Sequence, residues 1–373
     1  MKTTLSRPRT KRSAAPKPAR KINPAKLEQF LGKVVSDFGA ALSSTLALMG
    51  DKLGLYKVMA EAGPVTSREL AQRTKTTERY VREWLINQAA GGYIDYNPRT
   101  GKYVLPPEHA VALADESSPY FVGGGFQVIA AMMKAQPRIM EAFRNGGGMF
   151  WGEHDPDLFE GTERFFRPNY IGHLVSDWIP ALDGVEARLK KGASVADVGC
   201  GHGASTMIMA RAFPKSSFIG FDNHEPSIRR ANKLAKAQGL SNVKFRVAGA
   251  ENYGAPGKGR KFDFITFFDC LHDMGHPEDA ARHAFESLSK DGTVMIVEPM
   301  AGERVEENFN PVGRVYSGAS VLCCTANAIA CGGEALGTVA SDDALKAVVK
   351  AGGFRRFRRA TQTPFNRVFE ARL

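Results

Sequence analysis

An apolar stretch that runs into three alternating glycines and restarts as a helix constrains this chain more than any other feature. It reads Asp197-Val198-Gly199-Cys200-Gly201-His202-Gly203-Ala204, with a strand expected over Ser194–Val198 and a helix over Ser205 to Arg211. Alternating glycines let the backbone turn tightly and approach a ligand at the carboxyl end of the strand. The neighbouring sequence repeats the same strand-then-helix unit. Strands are expected at Ser217–Asp222, Val243–Val247, Phe262–Phe268 and Thr293–Glu298, with helices between them, for example from Pro226 to Ala237 and from Pro277 to Leu288. Such alternation calls for an open, mostly parallel α/β sheet with helices on both faces. Two last strands, Arg355–Ala360 and Arg367–Ala371, are joined by a link too short for a parallel crossover, so they form an antiparallel pair.

Upstream, the pattern is helical. Leu27, Phe30, Leu31, Val34, Phe38, Leu42 and Leu46 recur at steps of three and four, which makes one apolar stripe on a long helix that needs a partner surface. From Leu55 to about Leu113 the chain reads as a winged helix-turn-helix. One helix starts at Val65-Thr66-Ser67 with capping hydroxyls, and a turn spans Thr74 to Thr77. A second helix covers Glu78 to Ala90 and ends at Gly91-Gly92. Tyr93–Tyr96 and Lys102–Leu105, either side of the Asn97 to Gly101 turn, make the wing. Residues 116–175 read as helical connecting segments holding two glycine runs, Gly123–Gly125 and Gly146–Gly148, as candidate hinges. Their aromatic cluster fits a core, and its place before the α/β domain suits a lid. The expected organisation is a disordered basic tail over 1–24, a winged-helix dimerisation domain over 25–115, a helical linker or lid over 116–175 and the α/β domain over 176–373.

The formal charge of +11 is mostly that tail, because nine basic residues and no acid lie between Lys2 and Lys26. The tail's low hydrophobicity, high charge and prolines argue for disorder. No apolar run is long enough to cross a membrane, and no apolar leader core precedes residue 26. Five cysteines, odd in number and sparsely placed, do not make a disulfide framework, which suits a reducing, cytoplasmic setting. Cys323, Cys324 and Cys331 have no zinc spacing and read as small buried hydrophobes, so no metal is expected.

Asp222 follows Gly199 by 23 residues, at the end of the second strand, where its carboxylate can accept hydrogen bonds from ribose hydroxyls. A nicotinamide dinucleotide and S-adenosylmethionine (SAM) both call for that acid. Three features favour SAM. Asp197 ahead of Gly199, Gly201 and Gly203 resembles the first motif of class I SAM-dependent methyltransferases. Gly249-Ala250-Glu251 resembles their adenine-contacting segment, and their Rossmann-like fold also ends in an antiparallel strand pair. Phe268-Asp269-Cys270-Leu271-His272-Asp273-Met274 is similar to the Leu-His-Asp segment of small-molecule O-methyltransferases, although plant-type members usually carry Trp where this chain has Met274. Asn310-Pro311-Val312-Gly313-Arg314 and Thr363-Pro364-Phe365-Asn366 resemble later motifs of a less characterised bacterial group of winged-helix methyltransferases.

The resemblance implies a Rossmann-like methyltransferase domain behind an α-rich winged-helix domain, a homodimer through the N-terminal domain, and methyl transfer from SAM to a small-molecule hydroxyl. It implies that Asp197, Gly199, Gly201, Gly203, Asp222, Ala250 and Glu251 meet the cofactor, with Asp269 and Tyr170 at its methionine end. His272 is the implied general base. A neutral imidazole near pH 7 suits the task, since a phenol is a poor nucleophile until it loses its proton. Asp273 beside it is the second catalytic candidate. From the residues alone His272 can also hydrogen-bond substrate or cofactor, or be structural, and Asp273 can instead cap a helix or form a salt bridge. His202, inside the glycine loop, can contact the cofactor carboxylate or cap a helix, and reads foremost as a loop-stabilising residue. A ligand- or SAM-sensing winged-helix regulator is the alternative, but Arg79 and Arg82 are balanced by Glu78 and Glu83 on the second helix, which disfavours a nucleic-acid partner. A base methyltransferase is disfavoured by the lack of an Asp/Asn-Pro-Pro-aromatic element after the fourth strand.

Overall fold

A computed structural model describes residues 21–255, 257 and 261–373. The expected tail over 1–24 lies outside the described residues except for its last four. The chain divides into two units after Leu42. Helix α1 (Pro24–Lys52) begins in the first, where Phe30, Val35, Phe38 and Leu42 stand exposed along it.

The second unit opens with the winged helix. α2 (Leu55–Ala62), α3 (Ser67–Thr74) and α4 (Glu78–Ala90) precede the antiparallel wing of β1 (Asp95–Asn97) and β2 (Lys102–Val104) and helix α5 (Pro107–Leu113). Thr66 caps α3 in a reciprocal box with Glu69. Leu55, Tyr56, Met59, Leu70 and Trp84 form the core, and the Trp84 indole donates to the Leu46 carbonyl at 2.8 Å. Helices α6 (Gly123–Lys134), α7 (Gln136–Asn145) and α8 (Pro156–His173) follow. The first glycine run is not a hinge. Gly123–Gly125 is the first turn of α6, and a Cβ at Gly124 would collide with the backbone of Arg164 and Phe165 in α8. These glycines let two helices pack closely. α8 continues into a π-helical turn, Leu174–Trp178, so the expected boundary at 175/176 falls inside one helical run.

Beyond α9 (Val185–Lys191), the chain alternates β3 (Ser194–Val198), α10 (Ala204–Ala212), β4 (Ser217–Asp222), α11 (Glu225–Ala237), β5 (Val243–Val247), β6 (Phe262–Phe268), α12 (Pro277–Ser287) and β7 (Leu288–Pro299). α13 (Pro311–Ala319), α14 (Thr325–Ala330), α15 (Asp342–Ala351), β8 (Arg356–Gln362) and β9 (Asn366–Arg372) complete it. The strand order is β5-β4-β3-β6-β7-β9-β8, parallel from β5 to β7 and antiparallel at β9 and β8. Residues along β7 alternate between two cores, as period-two side chains in a sheet covered on both faces must. Met295 and Val297 join Trp178, Phe218 and Phe245 on one face, while Val294 and Ile296 join Phe267, Leu345 and Val349 on the other. β4 and β6 flank β3 on opposite sides, so the loops after β3 and β6 part there. A crevice opens at the carboxyl ends of the strands, where open α/β sheets bind ligands.

Candidate active site

The crevice is a cavity of about 490 Å³. Its walls come from the loops after β3, β4, β5 and β6, and α8 runs across it with Glu163, Phe166 and Tyr170 on the facing side.

The glycine loop takes its shape from three positive φ angles, 73° at Gly199, 51° at Gly201 and 80° at Gly203, which L-side chains rarely adopt. The amides of Gly199 and Cys200 both donate to the Phe221 carbonyl, at 2.8 and 3.0 Å. Gly199 and Gly201 line the cavity. Gly203 does not: it is the N-cap of α10, and the place of its missing Cβ is filled by the Phe245 ring. Asp197 is also displaced from its expected place against a cofactor. It is fully buried behind the loop and accepts hydrogen bonds from Ser205 (2.8 Å), Thr206 (2.5 Å) and Thr266 (2.9 Å). Burial pushes its carboxyl up to about 6 against the pull of those three hydroxyls. Asp197 therefore ties β3 to α10 and β6. Asp197→Ala leaves three buried hydroxyls without their acceptor and is expected to destabilise the fold by about 3 kcal/mol. An unchanged urea midpoint in that variant would contradict the brace.

Asp222 lines the cavity. One carboxylate oxygen accepts from the Gly201 amide at 2.9 Å and the other from the His224 amide at 2.8 Å, so each keeps a lone pair for a ligand. Burial raises its pKa, and the two amides oppose that rise. Ala250 and Glu251 sit further along the same wall, beyond β5. Asp269, on a positive φ of 50°, is held by Asn366 at 2.7 Å and by the Tyr170 hydroxyl at 3.5 Å. Burial, with the nearby Glu298 charge, pushes Asp269 well above the usual carboxylate range.

His272 lies on a 3-10 turn, Leu271–Asp273, just past the end of β6. Its ring is buried and does not line the cavity. Nδ1 donates to Glu298 at 2.5 Å, and Cys324 is a near electrostatic neighbour of the same imidazole. Burial pushes the imidazole down, but Glu298 and Cys324 together more than reverse this and hold it well above the usual range. Asp273 does face the cavity, and burial pushes it up to about 7. Among the described residues no cluster has the composition of a metal site, and all five cysteines are free.

Sequence reasoning gave no site role to Glu298, Glu163 or Asn366, and read Cys324 as a small buried hydrophobe. Glu298 was detectable as a lone acid closing an apolar strand, and Asn366 as part of a recognised motif. Glu163 and Cys324 carried no comparable signal.

Residues 189–352 match the family described as methyltransferase domain, and residues 40–115 match the Rv2258c-like winged HTH domain. The chain therefore carries a winged-helix domain followed by a methyltransferase domain. Over 126 residues it is 26% identical to (S)-coclaurine N-methyltransferase of Thalictrum flavum, covering 34% of this chain and 34% of that protein, so it spans about a third of that curated relative. An O-methyltransferase family protein from Burkholderia thailandensis superposes with a TM-score of 0.68 at 17% identity, covering 92% of this chain and 97% of that one. Human N-acetylserotonin methyltransferase, solved with SAM, gives 0.67 at 16% identity over 95% of this chain and 99% of that one. At such identities the likeness is one of fold.

SAM fits the residues present. Gly199 and Gly201 bring bare backbone to that wall of the cavity, with open space where a Cβ at Gly201 would stand, and Asp222 keeps acceptor capacity at the end of β4.

Proposed function

We propose that this protein transfers the methyl group of SAM to a hydroxyl of a small-molecule acceptor. The observation that carries the reading is a glycine-loop crevice with a buried His272–Glu298 pair on the turn beside it. SAM supplies an electrophilic methyl on its sulfonium. Asp222 would hold the ribose hydroxyls, Ala250 and Glu251 would border the adenine, and Gly199 and Gly201 would let the backbone meet the methionine arm. Asp269 and Tyr170 would close its far end. His272 is the candidate base, with Glu298 fixing its tautomer and orientation. Asp273, on the cavity side, would shape the cofactor's pocket rather than take the acceptor's proton. The reading is tested by following S-adenosylhomocysteine formation over a panel of phenols and other hydroxyl compounds. Binding of SAM without turnover on any acceptor class would move the protein to the sensing alternative.

That alternative has no specific observation in its favour. On α4 the arginines are spent within the helix, Arg82 on Glu78 at 2.8 Å and Arg79 on Glu83, which leaves no basic face for phosphates.

The apolar stripe of α1 supports a homodimer. Leu27, Phe30, Leu31, Val35, Phe38 and Leu42 are all exposed, an arrangement a helix rarely shows to water. Light scattering at micromolar concentration is expected to give twice the 40.6 kDa chain mass, and Phe30→Asp with Phe38→Asp to return it to the single value. A wild-type protein that is monomeric throughout would remove the dimer. None of the described helices is long and apolar enough to cross a membrane, in keeping with the cytoplasmic setting that the free cysteines suggest. The linker over 116–175 would then act as the wall that closes the site, through α8.

A further inference from the structure

Glu163 is the acid on the cavity wall that sequence reasoning passed over. It comes from α8, ahead of the methyltransferase domain, and its side chain is about nine-tenths buried. Oε2 accepts from Nδ1 of His202 at 3.1 Å, and Oε1 meets the Arg167 guanidinium at 3.3 Å. His202 sits between Gly201 and Gly203, so this one pair joins α8 to the glycine loop, and both residues line the cavity. Glu163, Phe166 and Tyr170 lie on one face of α8 at steps of three and four. That face runs from the glycine loop to Asp269.

The acids around the cavity are not equivalent. Burial raises Asp222, Asp269 and Asp273. Burial also pushes Glu163 up, but its hydrogen bond from His202 and the charges of His202, Arg167 and Arg230 outweigh that and hold it below the usual carboxylate range. Glu163 is thus a buried carboxylate that keeps its charge. A cofactor whose methionine arm ends in an ammonium group needs such an anion, since a buried cation is costly unless paired.

We infer that Glu163 anchors the α-ammonium of the cofactor's methionine arm, and that His202 is the positioning residue that holds the carboxylate toward it. The inference rests on the SAM reading of the crevice. It makes the linker helix part of the cofactor site and gives the loop histidine a task beyond shaping its own turn. It also separates the two ends of the cofactor: Asp222 answers for the nucleoside and Glu163 for the arm.

Calorimetric titration of the full chain with two ligands tests it. S-adenosylhomocysteine carries the arm, whereas 5′-methylthioadenosine lacks both its ammonium and its carboxylate. Glu163→Gln is expected to weaken S-adenosylhomocysteine about ten- to a hundredfold, the range of a charged hydrogen bond, and to leave 5′-methylthioadenosine within about twofold. His202→Gln, which keeps the carboxylate, is expected to show a smaller loss with the same ligand selectivity. Equal losses on both ligands in both variants, or no loss on either, would overturn the anchor. A wild-type chain that binds neither ligand would instead remove the SAM reading beneath it.

Discussion

His272→Ala is expected to lower turnover by about 10²- to 10⁴-fold, the usual contribution of general base catalysis, with S-adenosylhomocysteine affinity within about twofold of wild type. The separation follows from geometry. His272 is buried against Glu298 and Cys324 and does not line the cavity, so its removal takes no contact from the cofactor. The direction of the pH effect also follows. Burial is the largest single influence and disfavours the imidazolium, but the Glu298 carboxylate 2.5 Å away and the neighbouring Cys324 together outweigh it, so the ring keeps its proton above the usual imidazole range. A base must be deprotonated to act. Turnover should therefore rise with pH along an acid limb centred above about 6.5, the unperturbed imidazole value. Glu298→Gln removes the charge that raises the ring and should carry that limb to lower pH while also lowering the maximum rate. Near-normal turnover in His272→Ala would reject the base. An acid limb unmoved by Glu298→Gln would reject its coupling to the carboxylate.

Much of the architecture was legible because its signals are local. β3 through β6 appear at the residues where apolar runs end in glycine or an acid, and the glycine loop has the positive φ angles its sequence demands. Asp222, Ala250, Glu251 and Asp269 gather at one edge because each closes or follows a parallel strand, and parallel strands bring their carboxyl ends together. What stayed hidden depends on contacts between distant segments. Glu163 lies in a helical segment whose charges do not show which face packs, and only packing against a loop some forty residues later turns it inward. Cys324 looked like filler, yet it lies against a histidine about fifty positions earlier. Gly124 resembled a hinge because sequence does not show which helix it touches. Asp197 illustrates a third limit. Its residue type and place suit a cofactor contact, but the hydroxyls of Ser205, Thr206 and Thr266 take its carboxylate first.

Asp222→Ala is expected to weaken S-adenosylhomocysteine by about 10²- to 10³-fold. Two effects combine. The ligand loses a charged acceptor for its ribose hydroxyls, where each such hydrogen bond contributes about 1.5–3 kcal/mol. The protein loses the acceptor that ties the Gly201 amide at 2.9 Å and the His224 amide at 2.8 Å, so the glycine loop is no longer pinned to the end of β4. Asp222→Asn separates them. Its side-chain carbonyl can still accept one of the two amides, so the loop is partly held while the charge is gone, and about tenfold of the loss should return. Because burial raises Asp222, the group pairs with ribose best once deprotonated, and wild-type affinity should fall as the solution is acidified into its titration range. Calorimetry on the three proteins at two pH values reads all of this. Affinity for S-adenosylhomocysteine unchanged within about threefold in Asp222→Ala would place the nucleoside elsewhere in the crevice. Loss of 5′-methylthioadenosine in step with S-adenosylhomocysteine is the expected mark of a ribose contact, since both ligands carry that sugar.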